Sequence, residues 1–379
     1  MKYAYFDNAA TTRVSHDVSE IFEKYNGELF YNPSANYFPA VSVHEEVERV
    51  RLELLKVIKG FNGTLYFLSS GTEGDNLALF GSKKRKNANI VISESEHPAV
   101  YNAAMALKNN GYEVRICPVN SNGTVDINAF PSLVDENTAL VSIMHVNNET
   151  GGINEIKKLC ETAKNINPKV LFHSDGVQAF GKIPLNISEM GVDFYTISGH
   201  KIGAPKGIAA LFVAKGVVLA PLLYGGGQES GVRSSTENVG GIMSFGFAAR
   251  RAIAELPERI SCNRGFCAFL REKLSMIEGI RFISDEDCSS HILTFAFKNI
   301  RGEAMQHALS EDGFLVGTGS ACSARRAHDR IPRAIGLDKS YSDGIIRVSF
   351  GRENSAEEVE RLADCILKNY AEMKNYVRK

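Results

Sequence analysis

The segment DFYTISGHKIGAPKGIAALFVA (193–214) sets two apolar runs, DFYTIS (193–198) and IAALFVA (208–214), around a glycine- and proline-rich connection holding Lys201 and Lys206. Runs of this length, bounded by turn residues, read as buried strands. Similar runs precede them at TLYFL (64–68), NIVIS (89–93), EVRICPV (113–119), ALVSIMHV (139–146) and KVLFHSD (169–175). Helical patterns lie between, as in INEIKKLCETAKNI (153–166), with Ile153, Ile156, Leu159, Ala163 and Ile166 on one face. The alternation predicts an α/β fold whose large domain is a mainly parallel seven-stranded sheet covered by helices. After about residue 250 the texture changes: a helix at 266–277, the strand HILTFAF (291–297), a helix at 302–310, the strand GIIRVSF (344–350) and a closing helix at 355–377. The expectation is a large domain over 15–255 and a smaller α+β domain from 1–14 and 256–379, with a ligand cleft between them.

Composition narrows the function classes. The 43 basic and 44 acidic residues nearly cancel, and the longest basic block is KKRK (83–86), read as a solvated helix end, so direct nucleic-acid binding is not expected. The first residues lack the apolar core of a signal peptide, and no run of 18 apolar residues occurs, so a cytoplasmic enzyme without membrane association is expected. The 7 cysteines form neither CxxC pairs nor a Cys/His ligand cluster, and no metal site is expected.

Polar residues gather at the expected C-terminal ends of the strands, where an open α/β sheet places its ligand. SSGTEGDN (69–76) follows a strand and opens a helix, so Gly71 and Thr72 offer a backbone N–H and a hydroxyl suited to one phosphate. An ordinary glycine turn with Thr72 as N-cap is the plainer reading of that segment alone. GxGxxG and GxxxxGK[ST] are absent, which disfavours dinucleotides and nucleoside triphosphates. Asp175 ends a strand with Gln178 three residues on, and a carboxylate there can keep a pyridinium nitrogen protonated. His97 could stack on a flat heterocycle, and Asn148 could hydrogen-bond its substituent. Lys201 completes the set as the amine that holds a pyridoxal aldehyde, with Ser198 and His200 beside it for the phosphate. Lys206, after Pro205, reads as a rim residue.

The chain resembles the cysteine desulfurases, class V, fold-type I pyridoxal-phosphate enzymes, over nearly its whole length. The motifs run in family order: YFDNAATT (5–12), NPSA (32–35), SGTEGDN, EHPAV, NNETGG (147–152), DGVQ (175–178), SGHKIGAPKG, GGGQESGVRSSTENV (225–239), GSAC (319–322) and IRVSFGR (346–352). The resemblance implies pyridoxal 5'-phosphate as cofactor, its phosphate bound by Thr72, Ser198 and His200, its ring stacked on His97, its polar edge met by Asn148, Asp175 and Gln178, and its aldehyde on Lys201. It also implies a homodimer in which Thr236 reaches the neighbouring subunit's cofactor, and a substrate carboxylate held by Asn32 and Arg347. Ser70, Tyr37 and Ser235 depart from the family's usual glycine, histidine and glycine.

Cys322 stands apart from the other cysteines because it lies in a glycine-hinged loop with Arg325, Arg326 and His328 close behind, and positive charge lowers a thiol pKa. Cys160 and Cys365 read as core residues, Cys262 and Cys267 are expected to pack similarly, and Cys288 is flanked by carboxylates. The resemblance implies that L-cysteine becomes L-alanine while Cys322 accepts the sulfur as a persulfide, with Lys201 as base. The sulfur then passes to an acceptor protein, an iron–sulfur scaffold or a tRNA-thiolation enzyme. The basic segment 323–330 leaves the acceptor open. A class V aminotransferase, a selenocysteine lyase and a non-catalytic scaffold are the alternatives. An aminotransferase has no need of Cys322.

Overall fold

The computed structural model describes residues 3–319 and 330–374. The chain begins with β1 (Ala4–Phe6), α1 (His16–Gly27) and α2 (Phe38–Val57). An alternating stretch follows: β2 (Gly63–Leu68), α3 (Gly71–Gly81), β3 (Asn89–Ser93), α4 (Pro98–Asn109), β4 (Glu113–Cys117), β5 (Thr138–Ser142), α5 (Ile156–Ile166), β6 (Leu171–Asp175), α6 (Ile187–Met190), β7 (Phe194–Ser198) and β8 (Ala209–Ala214). Next come α7 (Val239–Ala254), α8 (Leu256–Leu274), β9 (Arg281–Phe282), β10 (Ile292–Ala296), α9 (Gly302–Glu311) and β11 (Phe314–Val316). The chain closes with α10 (Arg330–Ala334), α11 (Lys339–Ser342), β12 (Ile345–Ser349) and α12 (Ala356–Met373).

Seven strands form one sheet in the order β2-β8-β7-β6-β5-β3-β4. Neighbours from β7 to β4 run parallel, whereas β8 runs antiparallel to both β7 and β2. β3, β7 and β6 are buried almost throughout, which explains their continuous apolar runs. Because β8 reverses the direction twice, β2 again points the same way as β7. Leu68 and Ser198 both pair with Ala209, so the turn after β2 and the end of β7 meet at one edge of the sheet.

A second core gathers Ala4 and Phe6 with Leu270, Leu293, Phe295, Ile346, Leu362 and Ile366 around the antiparallel sheet β12-β10-β9. The first residues reach this core through β1, which pairs in parallel with β11. The final helix starts at a full capping box, Ser355 with Glu358. No helix among the described residues is long and apolar enough to cross a membrane.

Three local expectations change. α5 starts at Ile156, because Ile153 is drawn into a bridge with Val146, and Ile166 is largely exposed while Cys160 is buried. α8 begins at Leu256, ten residues earlier than expected, since Pro257 fits the first turn of a helix that follows α7 at once. Its early turns leave Cys262 exposed, so that thiol does not pack into the core.

Candidate active site

The parallel strands deliver their ends to one rim. α3 opens there with Ser70 as its N-cap, the Ser70 hydroxyl accepting the Glu73 N–H at 3.1 Å. The departure from glycine at position 70 therefore has a local use, and Thr72 is left exposed rather than spent as the cap. The S-x-x-E spacing of SGTE carries this signal in the sequence. A Cβ on Gly71 would lie 3.8 Å from Ser198 Cβ, which places the two beside each other. Ser198 is buried, and its Oγ has no hydrogen-bond partner among the described residues.

Asp175 ends β6, buried, with Oδ1 accepting the Val177 N–H at 2.9 Å. Burial first, then the charge of Asp75, pushes its pKa up to about 7. Asp75, on α3, is also held at about 7 by burial, and lies 3.5 Å from His173 Nε2. His97 caps α4 while belonging to this cluster: its Nδ1 accepts the Ala99 N–H at 3.2 Å, leaving Nε2 for the ring proton. Burial, then the charges of Lys201 and Arg330, lowers its pKa to about 4. Ligand atoms of Asp75, His97 and Asp175 lie within 4.8 Å of one another.

Lys201 follows β7 and donates to the Ala9 and Ala10 carbonyls at 2.6 and 2.7 Å. Burial and then Arg347 lower its pKa to about 8. Lys206 is exposed, in keeping with a rim position. Gln178 donates to the Ala9 carbonyl at 2.8 Å, and His200 Nδ1 lies 3.2 Å from Thr11 Oγ1. Burial, then Lys201 and Lys206, lowers the His200 pKa to about 4. The N-terminal segment 8–12 is thus a wall of the site.

Arg347 comes from the middle of β12, in the second core, and is buried. Its Nη2 meets Asp7 Oδ1 at 2.7 Å, and Nη1 donates to the Asn148 carbonyl at 2.7 Å. Nε has no partner among the described residues. A Cβ on Gly317 would lie 2.7 Å from Asp7 Oδ1 and 3.0 Å from Arg347 Nη2, so any larger residue at the β11 end would have to displace this pair.

Two of the expected residues are not drawn in. Asn32 is exposed, its Oδ1 accepting the Ser34 N–H at 3.0 Å, and no hydrogen bond joins it to Arg347. Thr236 is exposed beside a pocket of about 140 Å³ that it shares with Leu68, Ser69 and Asn238. Cys322, Arg325, Arg326 and His328 lie outside the described residues. Sequence reasoning passed over Asp7, Asp75, Glu96 and His173. Asp7, Asp75 and Glu96 stood inside the quoted motifs YFDNAATT, SGTEGDN and EHPAV, whereas His173 is paired only by the fold, with Ser142 at 2.8 Å and Thr196 at 3.0 Å.

Residues 4–362 match the family described as Aminotransferase class-V. The cysteine desulfurase IscS of Methanosarcina thermophila is 34% identical over 99% of this chain and 93% of its own length. A solved structure titled NifS-like protein superposes with a TM-score of 0.91 at 32% identity, over 97% of this chain and 99% of that one. Another, titled SspA in complex with cysteine, gives a TM-score of 0.78 at 27% identity, over 91% and 98%. The buried strand-end cluster and these likenesses agree, and the chain belongs to the cysteine desulfurases of the class-V aminotransferase family.

Proposed function

We propose that this chain is a pyridoxal-phosphate-dependent enzyme that converts L-cysteine to L-alanine and takes the sulfur onto Cys322. The observation that carries the reading is a set of complementary deficits at one rim. Among the described residues Asp175 is a buried carboxyl with no ion pair, Lys201 is an amine pushed toward its neutral form, and Ser198 Oγ is a buried hydroxyl without a partner. A protonated pyridine ring, an aldehyde and a phosphate would meet these three needs in turn. The residues present therefore fit that group.

Asp175 would hold the ring nitrogen in its protonated form, and Gly71, Thr72, Ser198 and His200 would receive the phosphate. Gln178 and Asn148 would meet the polar edge, with His97 on the ring face. When bound, the cofactor supplies an electron sink that makes the substrate Cα–H acidic. Arg347 would orient the substrate carboxylate through its open Nε and the edge of its fork, and Asn32 would assist from the exposed loop. Lys201, released by the incoming amine, would move the proton from Cα through Nζ. The Cys322 thiolate would form an S–S bond to the substrate sulfur as the Cβ–S bond breaks, its electron pair returning to carbon and ending as the methyl group of alanine. Iron–sulfur cluster assembly or tRNA thiolation would consume the persulfide through a sulfur-acceptor protein.

The exposed apolar residues Phe30, Tyr37, Phe38 and Tyr224, together with exposed Thr236, support a homodimer in which that threonine serves the partner's site. The core around Ala4, Phe6, Leu293 and Ile346, separate from those packed on the seven-stranded sheet, supports domains at 15–255 and at 1–14 with 256–379. A cytoplasmic location accords with the absence of a membrane-crossing helix among the described residues. The test is to incubate the yellow holoenzyme with L-cysteine and a reductant and quantify alanine and sulfide. Equal amounts of both support the reading. Conversion of added pyruvate to an amino acid without sulfide would show an aminotransferase instead.

A further inference from the structure

Between the two cores lies a cavity of about 500 Å³ with Lys201 on one wall. Thr72, His97, Asp175, Ser198 and Arg347 do not line it, whereas Lys201 and Thr11 do, so it lies across the 8–12 wall from the strand-end cluster. Its size falls in the range of small-molecule sites. Ile202, Leu256, Ile260 and Phe350 give it an apolar surface.

The charges around it are unevenly matched. Arg13 pairs with Glu353 at 3.2 Å, Arg352 with Glu255 at 3.1 Å and Arg251 with Asp17 at 2.8 Å. Glu358, also on the wall, accepts the Ser355 N–H at 3.3 Å as part of its capping box. Lys182, partly buried, has no side-chain hydrogen bond or ion pair among the described residues. Arg259 donates to the backbone carbonyls of Gly351 and Arg352 and has no ion pair among the described residues, although the charges of Glu255 and Glu258 are near. Burial, then Arg259 and Lys201, lowers the Lys182 pKa to about 8, and burial also lowers that of Arg259. Asn263, only 5% exposed, carries an Oδ1 without a hydrogen-bond partner. An unpaired ammonium, a guanidinium held by carbonyls and an unmatched acceptor thus face one space of mixed polar and apolar lining. Buried polar groups of this kind normally have partners.

We propose that this cavity is a second ligand site that takes a small organic carboxylate bearing an apolar body and one hydrogen-bond donor. Lys182 and Arg259 hold the carboxylate, and Asn263 Oδ1 accepts from the donor. One flexible ammonium and a guanidinium already spending N–H groups on carbonyls suit a single negative charge better than a phosphate dianion. The inference does not depend on the reaction proposed above.

The experiment titrates the holoenzyme with 4-hydroxyphenylacetate by calorimetry and ligand-observed NMR. Saturable binding of one molecule per chain is expected, and Lys182→Met should weaken it by about tenfold or more. Asn263→Leu should also weaken it, the uncharged analogue 2-(4-hydroxyphenyl)ethanol should not displace the carboxylate, and Arg347→Ala should leave binding intact. No saturable binding, undiminished binding in Lys182→Met, or loss through Arg347→Ala would overturn the proposal. A ligand-free control reads the same point: Lys182→Met removes an unpaired ammonium and should melt at or above the unmodified protein. A lower melting temperature would reveal a partner for Lys182 and equally overturn it.

Discussion

Lys201 must be unprotonated to bond covalently to a cofactor aldehyde, so its pKa sets the pH dependence of cofactor uptake by the cofactor-free protein. Burial and Arg347 lower it from 10.5 to about 8. At pH 7 about a tenth of the amine is then free, against about one part in three thousand for an ordinary lysine, a gain of about 300-fold. The two carbonyls of Ala9 and Ala10 hold the protonated form, but they do not make up for the lost water. Attachment should therefore speed up about tenfold per pH unit below pH 8 and level off above it. Arg347→Met removes a nearby positive charge and frees Asp7, and both changes favour the ammonium, so the midpoint should move to higher pH. The assay mixes cofactor-free protein with pyridoxal phosphate across a pH series, traps the bond with borohydride and maps it by mass. A rate still climbing tenfold per unit at about pH 10, or an adduct on Lys206, would refute the reasoning.

Arg347→Ala should raise KM for cysteine by about one to two orders of magnitude, as expected for a lost charge-assisted hydrogen bond. Arg347→Lys should recover only part of this, since a lysine lacks the fork, and an unchanged KM would place the carboxylate elsewhere. Glu229 accepts from Arg51 at 2.7 and 2.9 Å and from the Phe67 N–H at 2.9 Å, and both side chains of the pair are well buried. Glu48 stays paired with Arg51 at 2.9 Å, so Glu229→Ala should cost about 1.5–3 kcal/mol for the lost charge-assisted hydrogen bonds, read as a lower urea midpoint, and an unchanged midpoint would contradict it. Asp75 has a folded pKa of about 7 against 3.8 for the free side chain. It takes up a proton on folding in that window, so stability is highest below the lower value and falls as pH rises toward the upper one, by about 1.4 kcal/mol per unit at most. In the cofactor-free protein Asp75→Asn should flatten this slope between pH 4 and 7, and an unaltered slope in urea titrations would count against the assignment.

Much of this fold was legible because buried strands are short apolar runs with turns at both ends, as at β3 and β7. Strand direction was not: β8 has the same continuous apolar character as the parallel strands β3 and β7, yet it runs the other way. Helix starts were missed where tertiary pairing took a residue from the helical face, as with Ile153, or where one helix followed another, as at Leu256. At the site, Asp175, His97 and Lys201 were readable because each ends a strand or comes within a few residues of its end. The groups that set their charge states were not. Asp75 meets His173 from a different element, and Asp7 reaches Arg347 across 340 residues of chain, so only the assembled fold pairs them.

The central claim is that sulfur leaves cysteine for one thiol. Burial pushes Cys117, Cys160, Cys267, Cys288 and Cys365 up to about 12, which makes each a poor nucleophile at neutral pH. Cys262 lies on the exposed face of α8, remote in sequence from every motif of the site. The decisive measurement is a single turnover with isotope-labelled cysteine and no reductant, followed by peptide mapping of all 7 cysteines. One labelled persulfide on Cys322 per alanine formed is the expected result, and Cys322→Ala should bind cofactor normally yet release no sulfur. Label on another cysteine, or full sulfide production by Cys322→Ala, would contradict it.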